Sequence, residues 1–357
     1  HVNDVDQGLY RLDDTRLTND YSGNHLIASA YAAANLPFGR FNIFAGVRFE
    51  HSRMTLESNL SDYERRTAKR HYEGNDFFPS LNTVWKVNER HQLRLSYGRS
   101  INRPEFREIS TSVFYDFDLA SNVQGNTELK ACHVDNFDLR YEWYPSRGDQ
   151  ITVAGFYKSF DAPIEWSYTV TGGTDVVYSF VNAKRAYSLG IEVDIRKNLA
   201  FMGMKDLTLV FNGSAIKSRV NFQEGTRQKD RPMQGQSPYL VNLGLFYAHD
   251  IWNASLQYNR IGKRLIGVGR NLGSTGDQTV NIPDSYEMPR NSLDLSASVA
   301  LGRFELKVGA RDILAEKVFF KQFNDVTLSD GTEKHVEEVT RAYKPGREFN
   351  AMLTYKF

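Results

Sequence analysis

The sequence predicts an all-β fold: an antiparallel β-barrel that crosses a membrane with its strands. Three observations support this fold class. Apolar and polar residues alternate along most of the chain, short and long connections alternate between these segments, and charged residues are confined to one of the two faces that the alternation defines. Aromatic residues make up 13% of the 357 residues, which favours strands over helices.

A period of two identifies the strands, because successive side chains of a strand point to opposite faces. In the last nine residues, Phe349, Ala351, Leu353, Tyr355 and Phe357 share one face, and only Met352 breaks the pattern. Eight further segments alternate clearly: Phe41–Phe49, Leu93–Tyr97, Phe137–Trp143, Leu189–Ile195, Val241–Tyr247, Trp252–Tyr258, Leu293–Leu301 and Phe304–Ala310. Four less regular segments lie between them: His25–Leu36, Phe77–Val87, Ile151–Phe160 and Leu207–Lys217. Together they predict about thirteen strands.

The connections alternate strictly in length. Short ones lie at Pro37–Arg40, Lys86–Arg90, Pro145–Asp149, Lys197–Asp206, Ala248–Ile251 and Gly302–Arg303. Long polar ones lie at His51–Asp76, Ile101–His133, Asp161–Ala186, Ser218–Pro238, Ile261–Arg290 and Asp312–Glu348. All short turns therefore lie at one end of the strands, as in bacterial outer-membrane barrels, whose periplasmic turns are short and whose extracellular loops are long. Residues His1–Asp20 are predicted to form a polar extracellular loop.

Charge distinguishes the two faces. The apolar face of the nine clear segments carries no Asp, Glu, Lys or Arg, whereas the other face carries Arg48, Arg94, Asp138, Arg140, Glu142, Glu192, Asp194, Asp294, Glu305, Lys307 and Lys356. A Lys or Arg facing lipid costs roughly 2–4 kcal/mol at mid-bilayer, so a barrel must exclude charge from one face. A soluble β-sandwich also alternates, but its strands are shorter and its connections do not alternate in length.

Four of these charged residues are candidates for the barrel lumen: Arg48, Arg94, Arg140 and Glu142. They could line a solute path or contact a plug, or they could pair with one another across strands, which is the simpler interpretation. Aromatic residues crowd the short-turn end and predict a girdle at the membrane surface. They are Phe38, Phe41, Trp85, Trp143, Tyr144, Tyr247, Trp252 and Phe304.

Composition excludes several classes of protein. The net charge of +1 argues against a nucleic-acid-binding protein. The chain has no uninterrupted apolar run of the roughly 18 residues that a membrane-spanning helix needs. Cys132 is the single cysteine, so neither an intrachain disulfide nor a cysteine metal cluster can form. No cofactor and no metal site is predicted.

Aromatic and basic residues in two long connections are the ligand-binding candidates. Arg107, Phe114, Tyr115 and Phe117 lie in the connection Ile101–His133, and Trp166 and Tyr168 lie in the next one. Such residues capture ligands by stacking and charge. The alternative for the start of the first connection is structural: Asn102-Arg103-Pro104 would clamp the chain where a strand leaves the barrel wall.

The sequence does not predict an enzyme. His133 and Asp135 form a His-x-Asp pair, but no spacing marks a nucleophile beside them. The tripeptide Arg147-Gly148-Asp149 matches an adhesion motif, yet it falls in a predicted periplasmic turn, so we discard that interpretation.

Several stretches resemble the C-terminal barrel half of TonB-dependent outer-membrane receptors. The most specific is Leu93-Arg-Leu-Ser-Tyr-Gly-Arg-Ser-Ile-Asn-Arg-Pro-Glu-Phe-Arg-Glu-Ile-Ser110, followed downstream by Gln124-Gly-Asn-Thr-Glu-Leu-Lys130. Others are Phe77-Phe-Pro-Ser-Leu-Asn82, Val181-Asn-Ala-Lys-Arg-Ala-Tyr-Ser-Leu-Gly-Ile-Glu-Val-Asp194 and Tyr343-Lys-Pro-Gly-Arg-Glu-Phe349. The resemblance extends from about His25 to Phe357.

The resemblance implies a 22-stranded barrel with a plugged lumen, of which residues 1–357 would be the C-terminal portion without the plug domain. An open arc of about thirteen strands cannot be stable in lipid, because the backbone N–H and C=O groups at its two edges would have no hydrogen-bond partners. The chain would then be a fragment, or a further strand hidden in the loops would close it into a smaller barrel. Leu353, Tyr355 and Phe357 would form the terminal strand that the barrel-assembly machinery recognises.

The function that the resemblance implies is uptake, energised through TonB, of a scarce large solute such as a siderophore, haem, cobalamin, glycan or peptide. The implied partners are outer-membrane lipid, the plug domain, TonB, the barrel-assembly machinery and the nutrient ligand, with no nucleic acid. Two alternatives stay open: a passive outer-membrane pore, and a surface receptor or adhesin without active transport.

Overall fold

The computed structural model describes residues 17–59, 67–117, 121–172, 175–224, 228–275, 278–327 and 331–357. Thirteen of its strands form one continuous antiparallel sheet, here called the wall. The wall strands are β1 (Tyr21–Phe38), β2 (Phe41–Asn59), β3 (Thr67–Lys86), β4 (His91–Asn102), β7 (Cys132–Trp143), β8 (Gln150–Asp161), β11 (Arg185–Leu199), β12 (Met204–Asn221), β13 (Tyr239–His249), β14 (Trp252–Ile261), β19 (Arg290–Leu301), β20 (Phe304–Arg311) and β23 (Glu348–Tyr355). Each predicted segment corresponds to one wall strand, so the predicted strand count is confirmed.

Wall strands that follow one another along the chain are neighbours in the sheet. β1 and β23 stand at the two ends of this order, and among the described residues neither pairs with the other. The described wall is therefore an open arc. The smaller closed barrel that the sequence left as an alternative is not formed by these residues.

The short connections match their predicted positions, but the long connections differ from expectation. The ladder of β2 and β3 runs up to Asn59↔Thr67, so most of the predicted loop His51–Asp76 is a strand hairpin. The prediction failed because the outward face, which is apolar lower in the wall, becomes charged here, as in the ion pairs Arg53–Glu73 and Lys69–Glu57, and the inward face has only a short apolar run at Met54 and Leu56. A period-two search sees a strand only where one of its faces is apolar.

The other long connections contain secondary structure of their own. They hold a one-turn helix α1 (Phe106–Ile109) and the strands β5 (Val113–Asp116), β6 (Ser121–Gln124), β9 (Ile164–Gly172), β10 (Asp175–Asn182), β15 (Arg264–Gly267), β16 (Arg270–Thr275), β17 (Gln278–Ile282), β18 (Ser285–Glu287), β21 (Val318–Thr327) and β22 (Glu333–Tyr343). These strands form three small sheets, in the orders β5-β6-β10-β9, β15-β18-β21-β22 and β16-β17.

Two 3-10 turns complete the described elements, at Leu17–Asn19 and Ala200–Met202. The first belongs to the predicted N-terminal loop His1–Asp20, of which residues 1–16 lie outside the described residues. Among the described helices, none has the length and apolar character needed to cross a membrane.

Aromatic pairs bound the apolar outer face of the wall at both ends. At the short-turn end the Phe41 and Trp85 rings stack with centroids 5.7 Å apart, and at the other end the Phe49 and Phe77 centroids are 5.0 Å apart. Eight residues of strand separate the two pairs, a length of about 26 Å along the strand, which at a strand tilt of about 40° spans roughly 20 Å along the membrane normal. This height approaches the apolar band of about 25 Å that outer-membrane barrels have between two aromatic girdles. The sequence predicts only the girdle at the short turns.

The principal hydrophobic core lies in the long-loop region rather than in the wall. It is formed by Met54, Leu56, Ile109, Val123, Leu129, Tyr168, Tyr178 and Phe180. Met54 and Leu56 belong to the inward face of β2 above the apolar band, whereas the other six come from the connections between wall strands. This core packs the small sheet β5-β6-β10-β9 against the top of the wall, so these connections form an ordered cap.

Candidate binding site in the extracellular cap and the lumen

Asparagine side chains join the connections of the cap. Asn126 donates from its backbone N–H to the Glu108 carbonyl at 2.6 Å and from its side chain to the Phe180 carbonyl at 2.8 Å. Asn182 accepts from the Lys130 N–H at 2.8 Å and donates to the Ala162 carbonyl at 2.8 Å. Next to Asn126, a Cβ on Gly125 would lie 2.3 Å from the Ser110 carbonyl oxygen, so only glycine permits this approach. The Gln-Gly-Asn motif is therefore a structural joint.

The four candidates in the first of these connections form two pairs. The Arg107 guanidinium carbon lies 3.3 Å from the centroid of the Phe114 ring, which packs against the core. The Tyr115 and Phe117 rings pack edge to face with their centroids 5.2 Å apart. Both side chains are exposed to solvent, Phe117 by 88%. Tyr115 and Phe117 are thus available to a ligand, whereas Arg107 and Phe114 already contact each other. A ligand-binding role of these four residues stays a prediction.

Trp166 and Tyr168 are not free loop residues. Both lie on β9, within a connection that the sequence predicted only as a long polar loop. Tyr168 belongs to the hydrophobic core with 7% of its surface exposed, and Trp166 packs against this core, 4.5 Å from the Phe180 ring. A ligand can reach Tyr168 only through the cavity that this residue helps to line.

Arg103 is the clamp that the alternative interpretation of Asn102-Arg103-Pro104 describes. Its Nη2 lies 3.0 Å from Glu50 Oε2 on β2 and 3.0 Å from Asp76 Oδ2 on β3. His133 Nε2 on β7 approaches the other oxygen of Asp76 at 2.8 Å. These contacts close the wall where the ladder between β3 and β4 has ended, at Ser80↔Gly98.

Each of the three lumen-facing arginines contacts a glutamate, across strands in one case and along the same strand in the other two. Arg94 Nε and Arg140 Nε each lie 3.0 Å from Glu142 Oε1, and Arg48 Nε lies 2.7 Å from Glu50 Oε1. Tyr144 also donates to Glu142 Oε2 at 2.9 Å. The cross-strand pairing of the simpler interpretation is present only between Arg94 on β4 and Glu142 on β7, whereas Arg48–Glu50 and Arg140–Glu142 lie two residues apart on one strand. A role of these residues in a solute path or in plug contact stays a prediction.

A cavity of about 320 Å³ lies in the cap where four connections between wall strands meet. The connection after β12 contributes Lys229 and Arg231, the connection after β14 contributes Arg270 and Asp284, and the remaining two contribute Tyr168 and Asn324. Pockets of 300–1,000 Å³ that combine apolar walls with a few polar groups are typical of small-molecule sites. Sequence reasoning identified Tyr168 here but missed the basic residues, because they are far apart along the chain.

The electrostatics of this cavity follow from which charges are already paired. Hydrogen bonds from the Phe222 N–H and from Arg219 lower the pKa of Asp230. Burial raises the pKa of Glu165, against the opposing charge of Arg231, whose Nη2 lies 3.1 Å away. Asp230 and Glu165 thus have cationic partners. Lys229 and Arg270 line the cavity together with Asp284, which accepts from the Gly269 N–H at 2.7 Å, and the Arg270 guanidinium carbon lies 5.7 Å from the centroid of the Tyr178 ring.

The two discarded motifs have structural partners. Asp149 is buried and bonded to Lys197 and to the Asn198 N–H, so Arg147-Gly148-Asp149 does not present its carboxylate. Asp135 is paired with Arg99 at 2.9 Å and accepts from the Tyr97 hydroxyl at 2.8 Å, while His133 contacts Asp76 instead.

Comparison with known proteins identifies the family. The family model described as TonB dependent receptor-like, beta-barrel, matches residues 2–311. The chain belongs to this family of TonB-dependent receptors. Such receptors lie in the bacterial outer membrane, so the short turns of the wall are periplasmic and the cap is extracellular. The predicted resemblance and localisation are confirmed.

Solved receptor structures share the fold at low sequence identity. A mutant of the ferric enterobactin receptor PfeA from Pseudomonas aeruginosa, in complex with enterobactin, has a TM-score of 0.58 and 16% identity over 94% of this chain and 55% of that one. The FrpB iron transporter from Neisseria meningitidis has a TM-score of 0.60 and 13% identity, over 95% and 46%. The ferric citrate transporter FecA, unliganded, has a TM-score of 0.67 and 13% identity, over 94% and 45%. This chain spans about half the length of these receptors.

No curated protein matches the sequence. Identities of 16% or less establish the fold of this receptor chain but do not transfer a ligand to it.

Proposed function

We propose that this chain supplies barrel wall and extracellular cap to a receptor that takes up an anionic iron chelate by TonB-dependent transport. The observation that carries the proposal is the cavity where four extracellular connections meet, with Lys229 and Arg270 on its lining. A chelate with carboxylate or phenolate oxygens would be held by these cations. The iron-chelate receptors among the solved relatives support the same ligand class.

We further propose that the unpaired edges of β1 and β23 join additional wall strands and that a plug domain occupies the lumen. Both edge strands are exposed along nearly their whole length. Backbone groups without partners cost several kcal/mol each in hydrocarbon, so an open arc is not a stable state in a bilayer. TonB, the barrel-assembly machinery and outer-membrane lipid are the partners that this architecture requires.

The ligand proposal can be tested with two charge reversals, Lys229→Glu and Arg270→Glu. The receptor is expressed from its complete reading frame, and its binding of ferric enterobactin and of ferric citrate is measured on cells without an energy source. Each variant is expected to lose at least tenfold in affinity for the chelate that binds. Lys334→Glu is the matched control, because Lys334 is an exposed lysine on β22 outside the cavity lining.

Other outcomes would favour the alternatives. Unchanged chelate binding in both variants would reject this cavity, and Tyr115→Ala with Phe117→Ala would then test the exposed aromatic pair as the capture site. Binding without TonB-dependent uptake would favour a surface receptor. Steady conductance of the receptor in a planar bilayer, with no saturable binding, would favour a passive pore.

A further inference from the structure

Two sectors of the inner face of the wall differ in residue type, and further inward charges lie on β11, β19 and β20. On β2 to β7 the inward positions include the paired charges Arg48, Arg94, Arg140 and Glu142. On β13 and β14 the inward positions carry no Asp, Glu, Lys or Arg. Amides and small residues occupy most of them, with Phe246 near the periplasmic end and Leu240 and Ile261 at the other end.

Three amide side chains on β12, β13 and β14 form a continuous ladder that ends on a carboxylate of β11. Asn259 donates to Asn242 at 2.6 Å, and Asn242 donates to Asn212 at 3.1 Å. Asn212 donates in turn to Asp194 on β11. Gln257 lies on the same face of β14 as Asn259 and is exposed. We call Asn212, Asn242, Gln257 and Asn259 the amide panel.

The panel borders a hollow in the inner surface of the wall. A cavity of about 170 Å³ is lined there by Asn242, Gly244, Gln257 and Asn259, together with Asp294 of β19. Gly244 has no side chain to fill this hollow, and a Cβ at that position would lie only 2.6 Å from the Phe246 ring. The panel is therefore a concave site with several hydrogen-bonding groups.

The strands that carry the panel also carry the cavity in the cap. The connection from β12 to β13 supplies Lys229 and Arg231, and the connection from β14 to β19 supplies Arg270 and Asp284. A solute released from the cap cavity toward the lumen would thus meet the inner faces of β12, β13, β14 and β19. Of these four strands, β19 carries the inward carboxylate of Asp294, which accepts from the Asp312 N–H at 2.8 Å, whereas the charged sector of β2 to β7 belongs to other strands.

Hydrogen bonds between neutral groups are weaker than those to charged groups, so a moving solute exchanges them at lower cost. Each panel amide offers both donors and acceptors. The arginines of the charged sector are already held by Glu142 and Glu50, and a passing anion would have to compete with these carboxylates.

We propose that the amide panel is a second solute site, on the transport path inside the lumen, which receives the chelate from the cap cavity through neutral hydrogen bonds. This inference rests on the proposed function. It assigns the path to β12–β14 and not to the sector of β2–β7.

The experiment uses single cysteines at inward positions of the receptor expressed from its complete reading frame. Asn242→Cys and Gln257→Cys place a thiol in the panel, and Asn82→Cys on β3 is the matched control with the same original residue and the same inward face. Cells are treated with a bulky neutral methanethiosulfonate reagent during uptake of radiolabelled ferric enterobactin or ferric citrate. Mass spectrometry reports the labelled fraction. The native Cys132 is buried, and the unsubstituted receptor controls for its labelling.

Labelling of Asn242→Cys or Gln257→Cys is expected to reduce uptake at least tenfold while binding on de-energised cells stays unchanged. Labelled Asn82→Cys is expected to keep most of its uptake. The inference is overturned if the panel thiols are not labelled during uptake, if labelled panel variants transport normally, or if labelling at residue 82 blocks equally. If the unsubstituted receptor neither binds nor imports either chelate, the proposed function itself fails, which is a separate result.

Discussion

Asp149 and Lys197 form an ion pair that joins two neighbouring strand ends at the periplasmic side of the wall. Lys197 Nζ lies 2.5 Å from Asp149 Oδ2, and the Asn198 N–H donates to Asp149 Oδ1 at 2.9 Å. Asp149 precedes β8, whereas Lys197 and Asn198 are near the end of β11. Burial alone would raise the pKa of Asp149, but the bonds from Asn198, Lys197 and Ser146 outweigh it and lower the pKa to about 2.

Asp149→Asn should therefore destabilise the receptor at neutral pH. Because the folded-state pKa lies below the unfolded value, the carboxylate stabilises the fold above about pH 4, and this contribution is lost as pH falls toward 2. The expected difference is about 2 kcal/mol at pH 7. Unfolding in denaturant, followed by tryptophan fluorescence, should show wild type and variant converging between pH 5 and pH 2. A constant difference over that range would contradict the assigned role.

Arg103→Ala should loosen the wall below the cap. The substitution leaves Glu50 and Asp76 without their shared cation in a site where all three side chains are less than one-fifth exposed. Removing one member of a buried pair costs roughly 3–5 kcal/mol, and partial exposure should reduce this to about 2. Limited proteolysis between residues 103 and 131 should become faster. Arg48→Ala removes a more exposed arginine from the same Glu50 and should have a smaller effect.

Leu256→Arg should prevent stable insertion, whereas Gln257→Arg should not. Leu256 is the middle of the five outward positions of β14, and Gln257 is its inward neighbour. An arginine on the lipid face costs roughly 2–4 kcal/mol at mid-bilayer, while an inward arginine meets water or protein. The amount of heat-modifiable, folded receptor in outer membranes distinguishes the two. Equal amounts of both variants would contradict the assignment of faces.

Tyr355→Ala and Phe357→Ala should reduce barrel assembly. Tyr355 contacts Phe304 at a centroid distance of 5.0 Å and Phe357 at 5.1 Å, and it lies on the outward face with Leu353. We expect several-fold less folded receptor in the outer membrane and more degraded chain in the periplasm. Met352→Ala, on the inward face of the same strand, is the control and should assemble normally. Normal assembly of both aromatic variants would remove the proposed role of this strand.

The wall was predictable because its physics is local. Leu189, Ile191 and Val193 face lipid in strict alternation with inward residues, and this pattern can be read from neighbouring residues alone. The cap was not predictable in this way. Tyr168 was interpreted as a ligand-binding candidate, but it is buried in the same core as Leu56, which lies more than a hundred positions before it along the chain.

The candidate site shows the same limit. Tyr115 and Phe117 were identified because aromatic residues in a polar connection stand out in the sequence. Lys229 and Arg270 did not stand out, since each is an ordinary charge in its own connection and acquires a role only when the cavity brings the two together.

By itself, the sequence determined the strand count, the direction of the strands, the lipid-facing surface and the receptor family, because hydrocarbon imposes its pattern residue by residue. Only the tertiary structure decided that the long connections fold into small sheets over a core, that Arg103 bridges Glu50 and Asp76, and that amides line the inner face of β12–β14 as a panel. Those features depend on contacts between distant segments, which no local periodicity records.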